Sequence, residues 1–331
     1  MELIAVDDRG LRCESGGFFI DPLKPVEEAL ITHAHADHAR GGSRTYTAQE
    51  DSLAILRHRL GRGSSIRGVR YGERFKMGKT WVSFHPAGHI LGSSQIRVER
   101  GDNVWVVSGD FKRAQDPTCT PFEPVACECF ITEATFGLPV YSWRPASEIA
   151  DEILHWWRSY TEGPSLLFCY ALGKTQRVLA ELGKTSDRPV YLHGASMSIT
   201  ELYRQRGVRL PETRAVSETE SAYSFRGDLI IAPSSARRSA WMKRFKKPQT
   251  GFVSGWMLLR GTRRRWGYER GFPLSDHADW EGIMGTVRET GASSVLVTHG
   301  QDEAVSRYLR EQRGIDARPL RAAYGGAGED G

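Results

Sequence analysis

Along residues 1–133, short apolar stretches alternate with polar, glycine-bearing connectors, the pattern of short strands joined by tight turns. Strands are expected at 3–6, 17–20, 29–32, 81–85, 95–99, 103–108 and 129–133, each ending on a turn former or a chemically active side chain. Only 49–59 carries a helical pattern in this half. From about 140 to 270 the period lengthens. Apolar residues at 149, 153, 154 and 157 share one face of a helix over 147–160, and the apolar run 165–169 follows. The alternation continues with helices at 174–182, 197–206 and 237–245 and strands at 190–192, 229–232 and 251–254, which predicts a parallel sheet with crossover helices. After 271 come a helix over 279–290, a strand over 294–298 and a helix over 302–313. The change of texture predicts a first domain whose two parts span 1–135 and 271–324, an insert over 136–270, and a frayed tail over 325–331.

Composition narrows the class. The chain has 331 residues, 40% of them hydrophobic and 26% charged, so a globular core is expected and disorder throughout is not. No apolar run approaches the roughly 18 residues of a membrane span, and the start has neither a basic segment nor an apolar one of the secretory kind. The cysteines at 13, 119, 127, 129 and 169 are odd in number and form no CxxC pair, which speaks against a disulfide framework or a zinc ribbon. A cytoplasmic protein with no membrane partner is the expectation.

The densest chemistry follows the strand at 29–32. His33, His35, Asp37 and His38 form an HxHxDH string, and imidazole and carboxylate are the ligands of zinc and similar divalent ions. At an extended strand end His33 and His35 point the same way, while the turn lets Asp37 and His38 face a second point, so one motif can seed two metal sites. His89, Asp110 and His299 are further candidates. Each sits where a predicted strand hands over to a glycine-bearing turn, the place where sheet proteins gather reactive side chains.

This order of motifs resembles the metallo-β-lactamase superfamily, which implies an αβ/βα sandwich with two metal ions at its edge. The resemblance implies one ion on His33, His35 and His89, another on Asp37, His38 and His299, and Asp110 bridging them. It also makes Asp21 an outer residue that orients a ligand histidine. The long interval between Asp110 and His299, bracketed inside by Glu133 and His277, is similar to the β-CASP nucleases, whose three further motifs fall on Glu133, His277 and His299. The implied fold class is α/β, a metallo-β-lactamase sandwich with an inserted β-CASP α/β domain. The implied catalytic residues are Asp37, Asp110, His277 and Glu133, with His277 protonating the leaving sugar oxygen and Glu133 keeping it protonated and aimed.

Substrate size is read from the insert. Residues 237–270 hold eleven Lys or Arg against one acid, Glu269, with six aromatic residues interleaved. Basic groups neutralise phosphates and aromatic rings stack on unpaired bases, so Arg237, Arg238, Lys243, Arg244, Arg263, Arg264 and Arg265 are expected to contact nucleic acid. Lys174, in Ala171-Leu172-Gly173-Lys174-Thr175, could hold a phosphate at a helix start, although Phe168 stands where a nucleotide-binding loop would need glycine. The expected function is a nuclease using two divalent ions, zinc or manganese, on single-stranded or free-ended DNA. The chain most resembles the bacterial ligase-associated DNA exonucleases, which would give it a DNA ligase and a helicase as functional partners in repair. A histidine at 299 is typical of the RNA-processing members, so a ribonuclease is the alternative; a small-molecule thioesterase or lactonase would have no use for the basic insert.

Overall fold

A computed structural model describes residues 2–320, with Arg263 described by its backbone alone, so the tail at 325–331 lies outside the described residues. The chain divides into two compact units. The first takes the residues up to Gln115, Cys119–Ser142 and those from His277 on; the second takes Asp116–Thr118 and Trp143–Asp276. The second unit therefore starts and stops somewhat later than the expected 136–270. Phe136 and Tyr141 pack ring against ring within the first unit, and Leu274 belongs to a core of the second.

Two sheets make up the first unit. A six-stranded sheet runs in chain order through Ala5–Asp7, Gly10–Cys13, Phe18–Ile20, Glu28–Ile31, Thr45–Gln49 and Ile66–Val69. A seven-stranded sheet has the spatial order Asp316–Pro319, Ser294–Gly300, Cys129–Ala134, Asn103–Val107, Ser94–Arg100, Thr80–Pro86, Phe75–Met77. Their facing sides share a core that includes Phe18, Ile20, Leu30, Phe84, Ile96, Val107, Ile131 and Leu296. Because side chains alternate across a strand, Val106, Phe130, Val295 and Val297 face the other way, into a core with Ile283 and Val287 of the helix Trp280–Thr290 and Val305 and Leu309 of Asp302–Arg313. Strands buried on both faces need apolar residues at every position, which is why 104–107, 129–131 and 295–297 read as unbroken apolar runs.

All six strands of the second unit are parallel, ordered Thr213–Ala215, Val190–Leu192, Leu229–Ala232, Ser165–Phe168, Gln249–Val253, Arg270–Phe272. Ala146–Arg158 and Lys174–Leu182 cover one face, burying Ile149, Ile153, Trp157, Val178 and Leu182. The other face is covered by short 3-10 turns at Ser234–Arg238, Ala240–Arg244 and Gly255–Leu258 in place of the helix expected over 237–245. Ser239 is the reason: its backbone is extended and its hydroxyl accepts from Trp241 N–H, so it ends one turn and caps the next.

Lys174 does not face solvent, against the expectation of a phosphate contact. It is 1% exposed, with Nζ 2.8 Å from Asp276 Oδ2. One turn on, Arg177 lies between Asp276 (3.3 Å) and Asp116 (3.6 Å) and donates to the Ser275 carbonyl. Asp116 also accepts from Thr118 N–H and Oγ1. Two cations and two anions thus neutralise one another inside the second unit, and removing one partner leaves an uncompensated buried charge. Lys174→Met should lower unfolding free energy by about 3 kcal/mol or more, read from urea denaturation, whereas Lys243→Met, at an exposed position of the same unit, should stay within about 0.5 kcal/mol. Equal, small effects would mean that the quartet contributes nothing to the fold.

Candidate metal centre

The strand Glu28–Ile31 ends into the loop that carries the HxHxDH string, and one carboxylate shapes that loop. Asp21, held at φ 44°, accepts Thr32 N–H at Oδ1 (2.8 Å) and, at Oδ2, the Thr32 hydroxyl (2.5 Å) and His38 Nδ1 (2.8 Å). Since the hydroxyl proton goes to Asp21, His33 Nδ1 donates to Thr32 Oγ1 (3.1 Å) and leaves its Nε2 lone pair pointing inward. His38 Nε2 is turned inward in the same way by the bond its Nδ1 makes to Asp21. Asp21 thus stands where an orienting carboxylate was expected. Thr32, which has no motif of its own, was not anticipated.

Inward, the donors converge. His35 Nδ1 lies 3.1 Å from both His33 Nε2 and His89 Nε2, and the three rings stand nearly perpendicular to one another with centroids 4.8–4.9 Å apart. Asp110 Oδ2 is 3.4 Å from His33 Nε2, 3.7 Å from His89 Nε2 and 3.5 Å from His38 Nε2, so it touches both halves of the string. His33, His35, His89 and Asp110 are close enough to share one ion. On the other side of Asp110, Asp37 Oδ2 lies 3.7 Å from His38 Nε2, and the His299 ring is 5.6 Å from the His38 ring. The donor set fits divalent ions: two imidazole nitrogens aimed at the one in-plane site of a third are poorly served by N–H···N bonds alone and well served by a shared cation.

Backbone geometry holds these side chains at the strand ends. Gly109, at φ +56°, lets Asp110 follow Asn103–Val107 against the loop; a Cβ there would lie 2.6 Å from Thr32 Cβ. Gly300, at φ +72°, plays that part after His299, itself at φ 55°, because a Cβ would sit 2.3 Å from the Ala134 carbonyl oxygen. Lys112, 1% exposed and also unanticipated, donates to the His89 carbonyl oxygen (3.3 Å). Non-glycine residues in the left-handed region are uncommon and strained, and two of the four in the described chain, Asp21 and His299, are here.

Glu133 and His277 are brought together beside this cluster. Both are buried, and His277 Nδ1 lies 2.9 Å from each oxygen of Glu133. Phe111 N–H (2.8 Å) and the Thr135 hydroxyl (2.5 Å) also donate to Glu133. The carboxylate therefore places the proton on Nδ1. The ring centroid of His277 is 4.8 Å from that of His89, so the pair borders the cluster.

The predicted nucleic-acid residues fare differently. Arg238, Lys243, Arg264 and Arg265 are exposed, and Arg264 lines a groove of about 420 Å³ with Arg260, Tyr268 and Arg270. Arg237 instead donates to the carbonyls of Trp266 and Gly267 and lies 4.0 Å over the Tyr268 ring, while Arg244 donates to Thr219 and lies 5.2 Å over Phe225. The side chain of Arg263 is outside the described residues. The interleaved aromatics are packing: Phe245 and Phe252 are buried in the core, and Trp241, Trp256, Trp266 and Tyr268 pack partly buried against it.

A metallo-β-lactamase sandwich carrying an inserted parallel α/β unit and a His/Asp centre defines the class, and comparison with known proteins gives the same answer. The chain belongs to the β-CASP group of the metallo-β-lactamase superfamily. It is 32% identical over 323 residues to a probable DNA ligase of Opitutus terrae, covering 93% of this chain and 30% of that protein. It is 28% identical over 211 residues to Ribonuclease TTHA0252 of Thermus thermophilus, covering 53% of this chain and 48% of that one. The chain thus spans less than half of either relative. A solved structure of a protein of unknown function from Enterococcus faecalis shares the fold, with a TM-score of 0.58 at 12% identity over 82% of this chain and 74% of that one. No family model matches. Among the described residues no helix is long and apolar enough to cross a membrane.

The electrostatics make metal loading pH-dependent in a defined sense. Burial opposes charge on His38, but Asp110 and Asp21 outweigh it and raise its pKa to about 10. His89 is held neutral by burial and by His277, His33 and His35; Asp110, although burial opposes its charge, is held ionised by His38 and His33. Of these three groups only His38 must lose a proton before its inward nitrogen can ligate. Zinc binding at neutral pH should therefore release about one proton from this residue, and affinity should climb with pH until His38 is neutral. Calorimetry in buffers of different ionisation enthalpy reads the release. Its absence from the wild type, or its persistence in His38→Asn, would remove His38 from the ligands.

Proposed function

We propose that the chain is a metal-dependent phosphodiesterase that cleaves DNA, acting as an exonuclease in repair. The observation that carries the chemistry is the Glu133–His277 pair, buried and hydrogen-bonded beside the convergent His/Asp cluster. A metal-binding cluster alone serves many hydrolyses; a histidine aimed by a carboxylate at its border adds the proton donor that an alkoxide leaving group needs. The preference for DNA rests on similarity to a protein named a probable DNA ligase along 93% of this chain, where the similarity to a named ribonuclease covers 53%. A DNA ligase is the implied functional partner. Ribonuclease action is the second reading, favoured by the names of several further relatives, among them an RNase J-like protein of Methanocaldococcus jannaschii and His299 in the last motif.

Two divalent ions, zinc or manganese, would be held by His33, His35 and His89 and by Asp37, His38 and His299, with Asp110 between them, and would supply Lewis acidity toward a phosphoryl oxygen and a more acidic water. The chain's residues do the rest. Asp21 and Thr32 fix which nitrogen each histidine presents. Asp110, already ionised, offers one oxygen to both halves of the centre. Glu133 holds the Nδ1 proton of His277 and stabilises its imidazolium, whose Nε2 proton passes to the departing sugar oxygen.

His277→Ala should keep both metals and nucleic-acid affinity while slowing cleavage of end-labelled single-stranded DNA by roughly 10²–10⁴-fold. A p-nitrophenyl phosphodiester, whose leaving group departs without a proton, should be hydrolysed by the variant almost normally, and Glu133→Gln should give a milder defect. Equal losses on both substrates, or loss of a metal, would show that His277 is not the acid. Asp110→Ala should disturb both ions, checked by elemental analysis. End-labelled DNA and RNA compared with the wild type under each metal decide the nucleic acid; faster cleavage of RNA would overturn the DNA preference.

A further inference from the structure

The first unit has a basic surface of its own. Residues 57–74 contain six arginines against one acid, Glu73, directly after the metal-ligand loop and the strand that follows it. Several are engaged locally. Arg67 lies 4.6 Å over Phe75, Arg70 is 3.8 Å from Glu50, and Arg74 pairs with Glu99 at 2.7 Å. Arg59 is placed otherwise. It is exposed at the end of the helix Leu53–Leu60, and its Nε donates to the Ala34 carbonyl oxygen at 2.7 Å, within the HxHxDH string. On the other side of the string, exposed Arg40 donates from Nε to the Asp37 carbonyl oxygen (3.2 Å) and from Nη1 to the Leu23 carbonyl oxygen (3.3 Å). Between these anchors the loop meets solvent: Ala36 is exposed and the Asp37 side chain is 40% exposed, whereas His33, His38 and Asp110 are buried. The loop that carries the string is therefore held at Ala34 and at Asp37 by a guanidinium group each. Each is fixed through Nε, and neither forms an ion pair among the described residues.

We propose that Arg40 and Arg59 bracket the open side of the centre and take the phosphates that flank the cleaved linkage. They would thereby select a polyanionic strand over an isolated phosphodiester. The inference rests on the nuclease reading. The physical case is the local charge balance and the choice of side chain. Asp21, Asp37, Asp110 and Glu133 all surround the centre, and a strand with one negative charge per nucleotide needs cations at the rim to approach them. Arg59, anchored through Nε alone, keeps both terminal amino groups for a second acceptor, and Arg40, which also donates from Nη1, keeps Nη2; a fixed guanidinium matches phosphate oxygens where a mobile ammonium would not.

Arg40→Gln and Arg59→Gln remove the charge and retain an amide donor; Arg40→Lys and Arg59→Lys keep the charge. Binding of a fluorescein-labelled oligothymidylate, followed by anisotropy over a range of salt, should show the log–log slope falling by roughly 0.7 for each glutamine variant and little for the lysine variants. The ratio of kcat/KM for the oligonucleotide to that for bis(p-nitrophenyl) phosphate should fall several-fold in the glutamine variants, mainly through KM, with metal content unchanged. An unchanged slope in both glutamine variants of a cleaving enzyme overturns the bracket and leaves the nuclease reading standing. So does loss of metal, or an equal loss on both substrates, which would make these residues supports of the loop. A wild type that hydrolyses the small diester but neither binds nor cleaves the oligonucleotide overturns the nuclease reading itself.

Discussion

The Asp21 carboxylate accepts three donors in a space closed to water: a backbone N–H and a hydroxyl from Thr32, and an imidazole N–H from His38. A buried carboxylate left unpaired is strongly unfavourable, so these partners are obligatory and the loop has little choice of path. Because Thr32 donates to Asp21, it can receive only from His33, and the tautomers of two histidines follow from one acid. Asp21 itself adopts a backbone conformation that non-glycine residues rarely take, a local strain that these hydrogen bonds offset.

The sheets place the remaining parts. Asn103–Val107, Cys129–Ala134 and Ser294–Gly300 lie side by side and parallel, so Asp110, Glu133 and His299, which are far apart in sequence, emerge at one edge. Parallel neighbours also explain why these strands are apolar at every position, with both faces covered by packed layers. The edge that gathers these side chains and the thickness of the core are thus consequences of one arrangement. Glycines 109 and 300 then let the chain turn without pushing the side chains away from the edge.

Much of this was legible in the sequence where one residue type has one plausible use. The HxHxDH string and the strand-end positions of His89, Asp110 and His299 are legible because dense imidazole and carboxylate at strand ends is hard to explain otherwise, whereas the pairing of Glu133 with His277 is implied only by the resemblance to the β-CASP nucleases. The short strands Gly10–Cys13, Ile66–Val69, Phe75–Met77 and Asp316–Pro319 were not anticipated, being only three or four residues long and too short to show a period. The basic and aromatic segment at 237–270 is ambiguous in the sequence for a different reason. Arginine and tryptophan serve packing as readily as recognition, and Arg237 on Tyr268 or Arg244 on Phe225 closes a core face with the residue types that would grip a nucleic acid. Lys174 was misplaced because nothing local reveals a partner at Asp276, a hundred residues away.

The interrupted first unit has a consequence for how the molecule assembles. Cys129–Ala134, buried at all six positions, has one neighbour close behind it in the chain and the other, Ser294–Gly300, only after the whole second unit has been made. Until that late strand arrives, its open edge presents unpaired backbone beside apolar side chains, a surface prone to join another chain. Closing a pairing across so long a loop is slow, and the parallel insert can fold in the meantime as a spacer that brings the ends together. His277 and His299 lie on the returning segment, so the His/Asp cluster and its Glu133–His277 border cannot be complete until the chain has come back from the second unit.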